Sequence, residues 1–207
     1  ADVIALDAAD GAAAGAVIGG ATGDPAAATL TLTDADVRDS VAAYLAAHPG
    51  TVTALALDVT DDAAVASAVD EAERATGGID VVVNNAGIGY FATIEESDPA
   101  DARAVMDANF WGAAKVTTAF LPHLRARRTG HVITVSSIAG VRGSAGLGYY
   151  CASKWAVSGF MESLAKEVAH LGIRVSLVEP GPVLSQWIPS GGKVHDGMAD
   201  YAEGRDP

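Results

Sequence analysis

His131-Val132-Ile133-Thr134-Val135-Ser136-Ser137, followed thirteen residues beyond Ser137 by Tyr150-Cys151-Ala152-Ser153-Lys154, is the stretch that decides the fold. The first part, His131 to Val135, is a short, largely β-branched run that ends in two hydroxyls. The second opens a segment of helical period from about Tyr149 to His170. A strand passing to a helix through a polar loop is half of a βαβ unit, and the pattern repeats outward from here. Val3–Leu6, Val52–Leu57, Val81–Val83 and Arg174–Val178 also read as strands, and Asp34–Ala47, Asp61–Thr76 and Pro99–Arg127 as helices. The strands are continuously apolar rather than alternating, as a parallel sheet covered on both faces requires. Asp34 and Asp61 suit helix N-caps, and Asp98 before Pro99 joins a cap to a proline at the first helical position. Gly11 to Ala28, rich in Ala and Gly, reads as a loop with a short helix as an option. One α/β domain over residues 1–207 is expected.

Composition narrows the function. The 26 acidic and 13 basic residues give a formal charge of −13, the wrong field for a nucleic-acid partner and a plain aid to solubility. Cys151 is the only cysteine, which excludes an internal disulfide and a multi-cysteine metal site and suits a reducing cytoplasm. The five histidines show no metal-like spacing, so no metal is assigned. No uncharged apolar run reaches the ~18 residues of a membrane span, so no membrane partner is expected. Ala1-Asp2-Val3 has neither a cationic signal region nor a starting Met, and the chain reads as a piece of a longer product.

Chemistry enters with Tyr150 and Lys154. At i and i+4 on a helix they share a face, and a neighbouring cation favours the phenolate of a group that otherwise titrates near ~10. Alone, this pair is more often an ordinary helix surface. Other fragments change the balance. Ser137 ends a strand, where catalytic groups of open α/β sheets collect. Asn84-Asn85-Ala86-Gly87 ends another strand with small residues that let a cofactor approach the backbone. Asp58-Val59 ends a third, and Pro180-Gly181-Pro182-Val183 follows a fourth. Asn109 sits mid-helix, an unfavourable place unless its side chain is engaged.

In this order the fragments resemble the classical short-chain dehydrogenases/reductases, continuously from about Val52 to about Ser185. The resemblance implies a doubly wound parallel sheet, a Rossmann-like three-layer sandwich, here incomplete at both ends. It makes Tyr150 the general acid/base and Ser137 the group that polarises the substrate carbonyl. Lys154 would lower the phenol pKa and hold the nicotinamide ribose, and Asn109 would keep a relay water. Tyr150 and Lys154 therefore face cofactor and substrate alike. Asp58 and Val59 would bracket the adenine, and Asn84, Ala86 and Gly87 would line the adenosine ribose side. Pro180, Gly181 and Val183 would border the nicotinamide. The implied partners are a small alcohol or ketone and a second copy of the chain, as a homodimer or homotetramer.

The family's glycine-rich phosphate turn after the first strand is missing. Two registers compete. In the first, Ala1 to Asp7 is the second strand, and Asp7 binds the adenosine ribose hydroxyls. In the second, Val3–Leu6 is the first strand, Gly11 to Val17 a degraded phosphate loop, and Asp34 the ribose ligand. The second fits the overall spacing; the first fits the residues better and is preferred. Under the first, a gap or rearrangement is expected beside Val81–Val83. Either aspartate would repel a 2′-phosphate, so NAD is expected over NADP. Two alternatives share the motifs: an inactive scaffold of the same fold, and a reductase of carrier-bound acyl chains. The latter needs a basic docking patch, and only Lys115, Lys154, Lys166 and Lys193 supply lysines.

Overall fold

The computed structural model describes residues 2–6, 17–19, 52–181, 192–194 and 197–204. In chain order these form β1 (Asp2–Leu6), β2 (Val17–Gly19), β3 (Val52–Ala56), α1 (Asp62–Thr76), β4 (Val81–Asn84) and β5 (Gly89–Phe91). There follow α2 (Pro99–Met106), a π turn (Asp107–Gly112), α3 (Ala113–Arg127), β6 (Gly130–Val135), α4 (Gly148–Val168), β7 (Ile173–Val178) and β8 (Gly192–Val194). Short 3₁₀ turns occupy Ile138–Gly140, Ala169–Leu171 and Ala199–Gly204. The expected helix Asp34–Ala47 and its cap lie outside the described residues.

Six strands form the main sheet in the order β3-β1-β2-β4-β6-β7. β1 runs parallel to β3, β4 to β6 and β6 to β7. β2 is antiparallel to both of its neighbours, β1 and β4. The expected Rossmann-like parallel sheet is present, and the Gly11–Ala28 segment, read as a loop, adds to it the antiparallel strand β2. Val3 faces Thr53 across the β1–β3 ladder, so β1 takes the second-strand place, and no direct β1–β4 pairing occurs. The rearrangement beside Val81–Val83 is β2 itself, with Val17 opposite Val83 and Gly19 opposite Val81.

One face of the sheet meets α1, α3 and α4. Val82 and Val132 are buried among Val65, Val69, Val116, Phe120, Leu124, Val157 and Met161. The intervening strand residues His131, Ile133 and Val135 are only half-buried. Phe120 and Val116 on α3 are core of the single chain. Asn84 knits three elements together: its amide donates to Thr117 Oγ1 on α3 at 2.9 Å and to Thr134 Oγ1 on β6 at 3.1 Å.

The helix starts follow their caps. Asp61 accepts from Ala63 N and Ala64 N, and Asp98 accepts from Ala100 N and Asp101 N with Pro99 at the first position. The helix expected over Pro99–Arg127 is interrupted by the π turn at Asp107–Gly112. Two contacts accompany the turn: Gly112 rides directly on Val59, and Asn109 reaches across to Ile88. Asp61→Ala leaves two first-turn amides without their side-chain acceptor, and is expected to cost about 1 kcal/mol in urea denaturation. No loss of stability would show the cap to be idle.

Candidate active site

β6 delivers Ser136 and Ser137 to the carboxyl edge of the sheet. The edge is extended beyond the strand, since Ser136 N donates to Val178 O at 2.8 Å and Ile138 N to Pro180 O at 2.9 Å. Ser137 is extended (φ −168°, ψ 162°), and its hydroxyl accepts from Ala139 N at 3.1 Å, capping the 3₁₀ turn. The first turn of α4 presents Tyr150 against this loop, in a small apolar cluster with Ala139 and Cys151. Ser137 hydrogen-bonds the phenol. One turn on, the ammonium of Lys154 lies 5.9 Å from the Tyr150 ring centroid. Tyr150 is 8% exposed and Lys154 5%.

Burial sets the electrostatics. It pushes Lys154 down to about 8, because the charged ammonium loses its water. It also pushes the Tyr150 phenol up; the Ser137 hydrogen bond pulls the other way, and Cys151 adds to the rise. The expectation of a lowered phenol is therefore reversed in the protein alone. Desolvation of a phenolate outweighs what its protein neighbours return.

Asn109 is buried and both N–H groups of its amide are engaged. Oδ1 accepts from Ile88 N at 2.7 Å, while Nδ2 donates to Ile88 O at 3.0 Å and to Ser153 Oγ at 3.0 Å. Ser153 Oγ in turn donates to Tyr150 O at 2.7 Å. With both of its N–H groups taken, the Asn109 side chain ties the loop after β4 to α4 and does not supply a donor to a relay water. Ser153 was not singled out from the sequence; its i, i+3 place behind Tyr150 was the only signal.

The proposed nucleotide residues fall into place unevenly. Asp58 accepts from Thr60 N at 2.8 Å and Thr60 Oγ1 at 2.7 Å, holding the turn after β3. Val59 is 1% exposed and belongs to the core, against Gly112 of the π turn. Ala86 packs on the core, Asn85 is exposed, Pro180 is half-buried and Gly181 exposed. Asp7, Asp34 and Val183 lie outside the described residues. Tyr90, three residues after Gly87, is a core residue whose hydroxyl accepts from Asp98 N at 2.9 Å.

Two observations fit a dinucleotide. A Cβ on Gly87 would stand 3.1 Å from Asn109 Oδ1 and 3.4 Å from Lys154 Nζ, so the backbone there comes close to both groups. Lys154 has three donors, and its one hydrogen bond among the described residues goes to Val135 O at 3.0 Å. The other donors are buried and suited to hydroxyls.

The model of the short chain dehydrogenase family matches residues 13–190. The chain belongs to this family. It is 42% identical over 137 residues to retinol dehydrogenase 8 of Bos taurus, covering 66% of this chain and 43% of that protein. A solved short-chain dehydrogenase from Streptomyces avermitilis is 29% identical, covers 99% of this chain and 75% of its own, and superposes with a TM-score of 0.79. A metagenomic short-chain oxidoreductase, solved in complex with NADP, is 35% identical with a TM-score of 0.66, covering 72% of this chain and 68% of that one. The chain spans about half the length of the curated relatives it matches. Among the described residues, no helix is long and apolar enough to cross a membrane.

The depressed Lys154 gives a test by stability. A lysine whose native pKa falls from 10.5 to about 8 binds fewer protons folded than unfolded between those values. It costs stability below pH 8, and the cost fades as pH rises through 10.5. Lys154→Met should therefore stabilise the protein at pH 7, by at most about 3 kcal/mol from the size of the shift, less about 1 kcal/mol for the lost bond to Val135 O. The gain should vanish near pH 10.5 in urea denaturation. A variant less stable than wild type at both pH values would refute the burial cost.

Proposed function

We propose that the chain carries the catalytic core of a nicotinamide-dependent oxidoreductase that interconverts an alcohol and a ketone. The observation that supports this is the buried Tyr150 phenol, hydrogen-bonded to Ser137 and backed by the desolvated ammonium of Lys154. A bound nicotinamide would supply or accept the hydride. Ser137 then holds the substrate oxygen beside the phenol, and Tyr150 gives that oxygen its proton in reduction or takes it in oxidation. Lys154 offers its free donors to ribose hydroxyls and, as a cation, opposes the rise that burial imposes on the phenol. The cationic ring of an oxidised nicotinamide would act in the same sense. Asn109 and Ser153 hold the loop after β4 and the start of α4 in register. Relatives that include a retinol dehydrogenase support chemistry at a CH–OH carbon.

NAD is the proposed nucleotide, on the second-strand place of β1 and the aspartate, Asp7, that follows it. The solved NADP complex makes NADP the direct competitor. A second reading, a scaffold without cofactor, is favoured by one finding: β2 occupies the central place of the sheet with reversed direction. A cytoplasmic setting rests on the lone cysteine and is proposed on that ground alone.

Kinetics on the natural full-length protein with both nucleotides test these readings. Tyr150→Phe should lower turnover by about 10²–10⁴-fold while cofactor binding survives, because only the transferable proton is lost. Near-normal turnover would sink the assignment of Tyr150. A higher kcat/KM with NADP than with NAD, unchanged by Asp7→Ala, would exclude Asp7 as the ribose ligand. No binding of either nucleotide would leave the scaffold.

A homodimer or homotetramer is proposed through α3 and α4. Trp111 and Trp155 are 51% and 52% exposed, and Phe110 bridges between Trp111 and Phe160, 4.7 and 6.0 Å between ring centroids. Light scattering at micromolar concentration should report an oligomer that Trp155→Glu weakens; a monomer in wild type would remove the proposal.

A further inference from the structure

Behind the catalytic face lies a second set of hydroxyls that the chemistry above does not use. Ser136 is 3% exposed and Ser158 8%, and their Oγ atoms stand 3.0 Å apart. Ser136 Oγ also donates to Lys154 O at 3.3 Å. Ser158 Oγ lies 3.4 Å from Glu179 Oε1, a carboxylate at the exposed end of the chain of bonds. The two hydroxyl protons suffice for a directional run: Ser158 donates to Glu179 or to Ser136, and Ser136 to Ser158 or to Lys154 O. The 3₁₀ turn closes over this set. A Cβ on Gly140 would stand 2.6 Å from Ser136 Oγ, 2.9 Å from Ser158 Oγ and 3.0 Å from Lys154 O. The fit is too tight for any side chain there, so the turn's backbone sits directly on the two hydroxyls.

The geometry points to Ser136 and Ser158 as positioning residues that set the distance between the Ser137 loop and α4. Successive side chains of an extended chain point to opposite sides. Ser137 therefore turns to the phenol at the start of α4, while Ser136 turns to Lys154 O and Ser158 further along the same helix. Ser136 is gripped from two directions, by Val178 O on β7 through its amide and by α4 through its hydroxyl. Its grip on α4 falls on the carbonyl of Lys154 itself, and Ser158 is one turn further along the same helix. A loop freed from α4 at this point carries Ser137 away from Tyr150. The bond that Ser137 makes to the phenol is the one contact that lowers its pKa in the protein alone, so loosening the loop raises that pKa further. This rests on the proposed roles of Tyr150 and Ser137, but its first test needs no turnover.

The full chain is labelled with 3-fluorotyrosine, and Tyr150 is assigned among the five tyrosines by its loss in Tyr150→Phe. Its titration is followed by ¹⁹F NMR in wild type, Ser158→Ala, Ser136→Ala, the double variant and Ser158→Thr. Ser158→Ala and Ser136→Ala should each raise the Tyr150 pKa by about half a unit. The double variant should add little beyond either single change, because both break one connection. Ser158→Thr, which keeps the hydroxyl, should titrate like wild type. Thermal melts within about 2 °C of wild type would separate this from general loosening. Identical titration in wild type and both alanine variants would overturn the proposal, as would shifts that track only a fall in melting temperature. Where turnover is measured, Ser158→Ala should lower kcat roughly tenfold and leave the cofactor KM unchanged. Phenol shifts without turnover in any protein, wild type included, would sink the oxidoreductase reading and leave the positioning role standing.

Discussion

A positive charge buried at the edge of the sheet is the constraint around which the rest of this site is arranged. Lys154 has given up most of its water and recovered one protein acceptor, the carbonyl of Val135 at the last residue of β6. That trade is unfavourable to the isolated chain, and the surroundings compensate by rigidity rather than by opposite charge. No carboxylate is paired with the ammonium among the described residues. Helix α4 is instead anchored at three points on two adjoining turns: through Ser153 to Asn109, through the Lys154 carbonyl to Ser136, and through Ser158 to Glu179. Each anchor is neutral at the helix itself, so the charge is left unneutralised while its position is fixed. A paired carboxylate would have held the lysine more cheaply and cancelled its influence on the phenol.

The same economy explains the Asn109 turn. An asparagine in mid-helix competes with the backbone for hydrogen bonds. Here the competition is resolved by sending the amide sideways, to both backbone groups of Ile88 and to Ser153, while the helix adopts a π turn of one extra residue. The loop after β4 and the start of α4 are thereby joined through one side chain. Gly87 beside it lacks the Cβ that would crowd both Asn109 and Lys154. The residues that hold the site thus also make the space beside it.

Much of this was legible in the sequence because it is written in local periods. The strands at Val81, His131 and Arg174 follow from short continuous apolar runs, and the caps at Asp61 and Asp98 and the Tyr150–Lys154 face from spacing of two to four residues. What was not legible depends on partners distant in the chain. Phe120 and Val116 have the helical spacing of an interface stripe, yet the sheet needed them, as burial beside Val82 and Val132 shows. Tyr90 follows the NNAG turn as a pocket residue would, but its hydroxyl is spent on Asp98 N. Burial raises the phenol in the protein alone for a related reason: spacing reveals the neighbouring cation but not how completely both groups are buried. Ser136, Ser153 and Ser158 read as ordinary helix and loop serines until the loop is folded back on α4.

Backbone polarity governs what the centre of the sheet can offer a nucleotide. A sheet needs each interior strand to satisfy amides and carbonyls on both sides, and β2 does so between β1 and β4 whichever way it runs. Phosphate binding is less tolerant. In a parallel strand the chain leaves at the carboxyl edge, where a following turn and helix N-terminus can aim N–H groups at an anion. In β2 the order is reversed: Val17 lies opposite Val83, beside the Asn84 end, and Gly19 opposite Val81 at the far end. The chain enters β2 at the catalytic edge and leaves it on the opposite side. Any backbone cradle joined to β2 at that edge must therefore precede the strand, with a helix dipole, if present, pointing the unfavourable way. Hydrogen-bond closure and anion binding are separable demands, and β2 meets the first without the geometry that ordinarily meets the second.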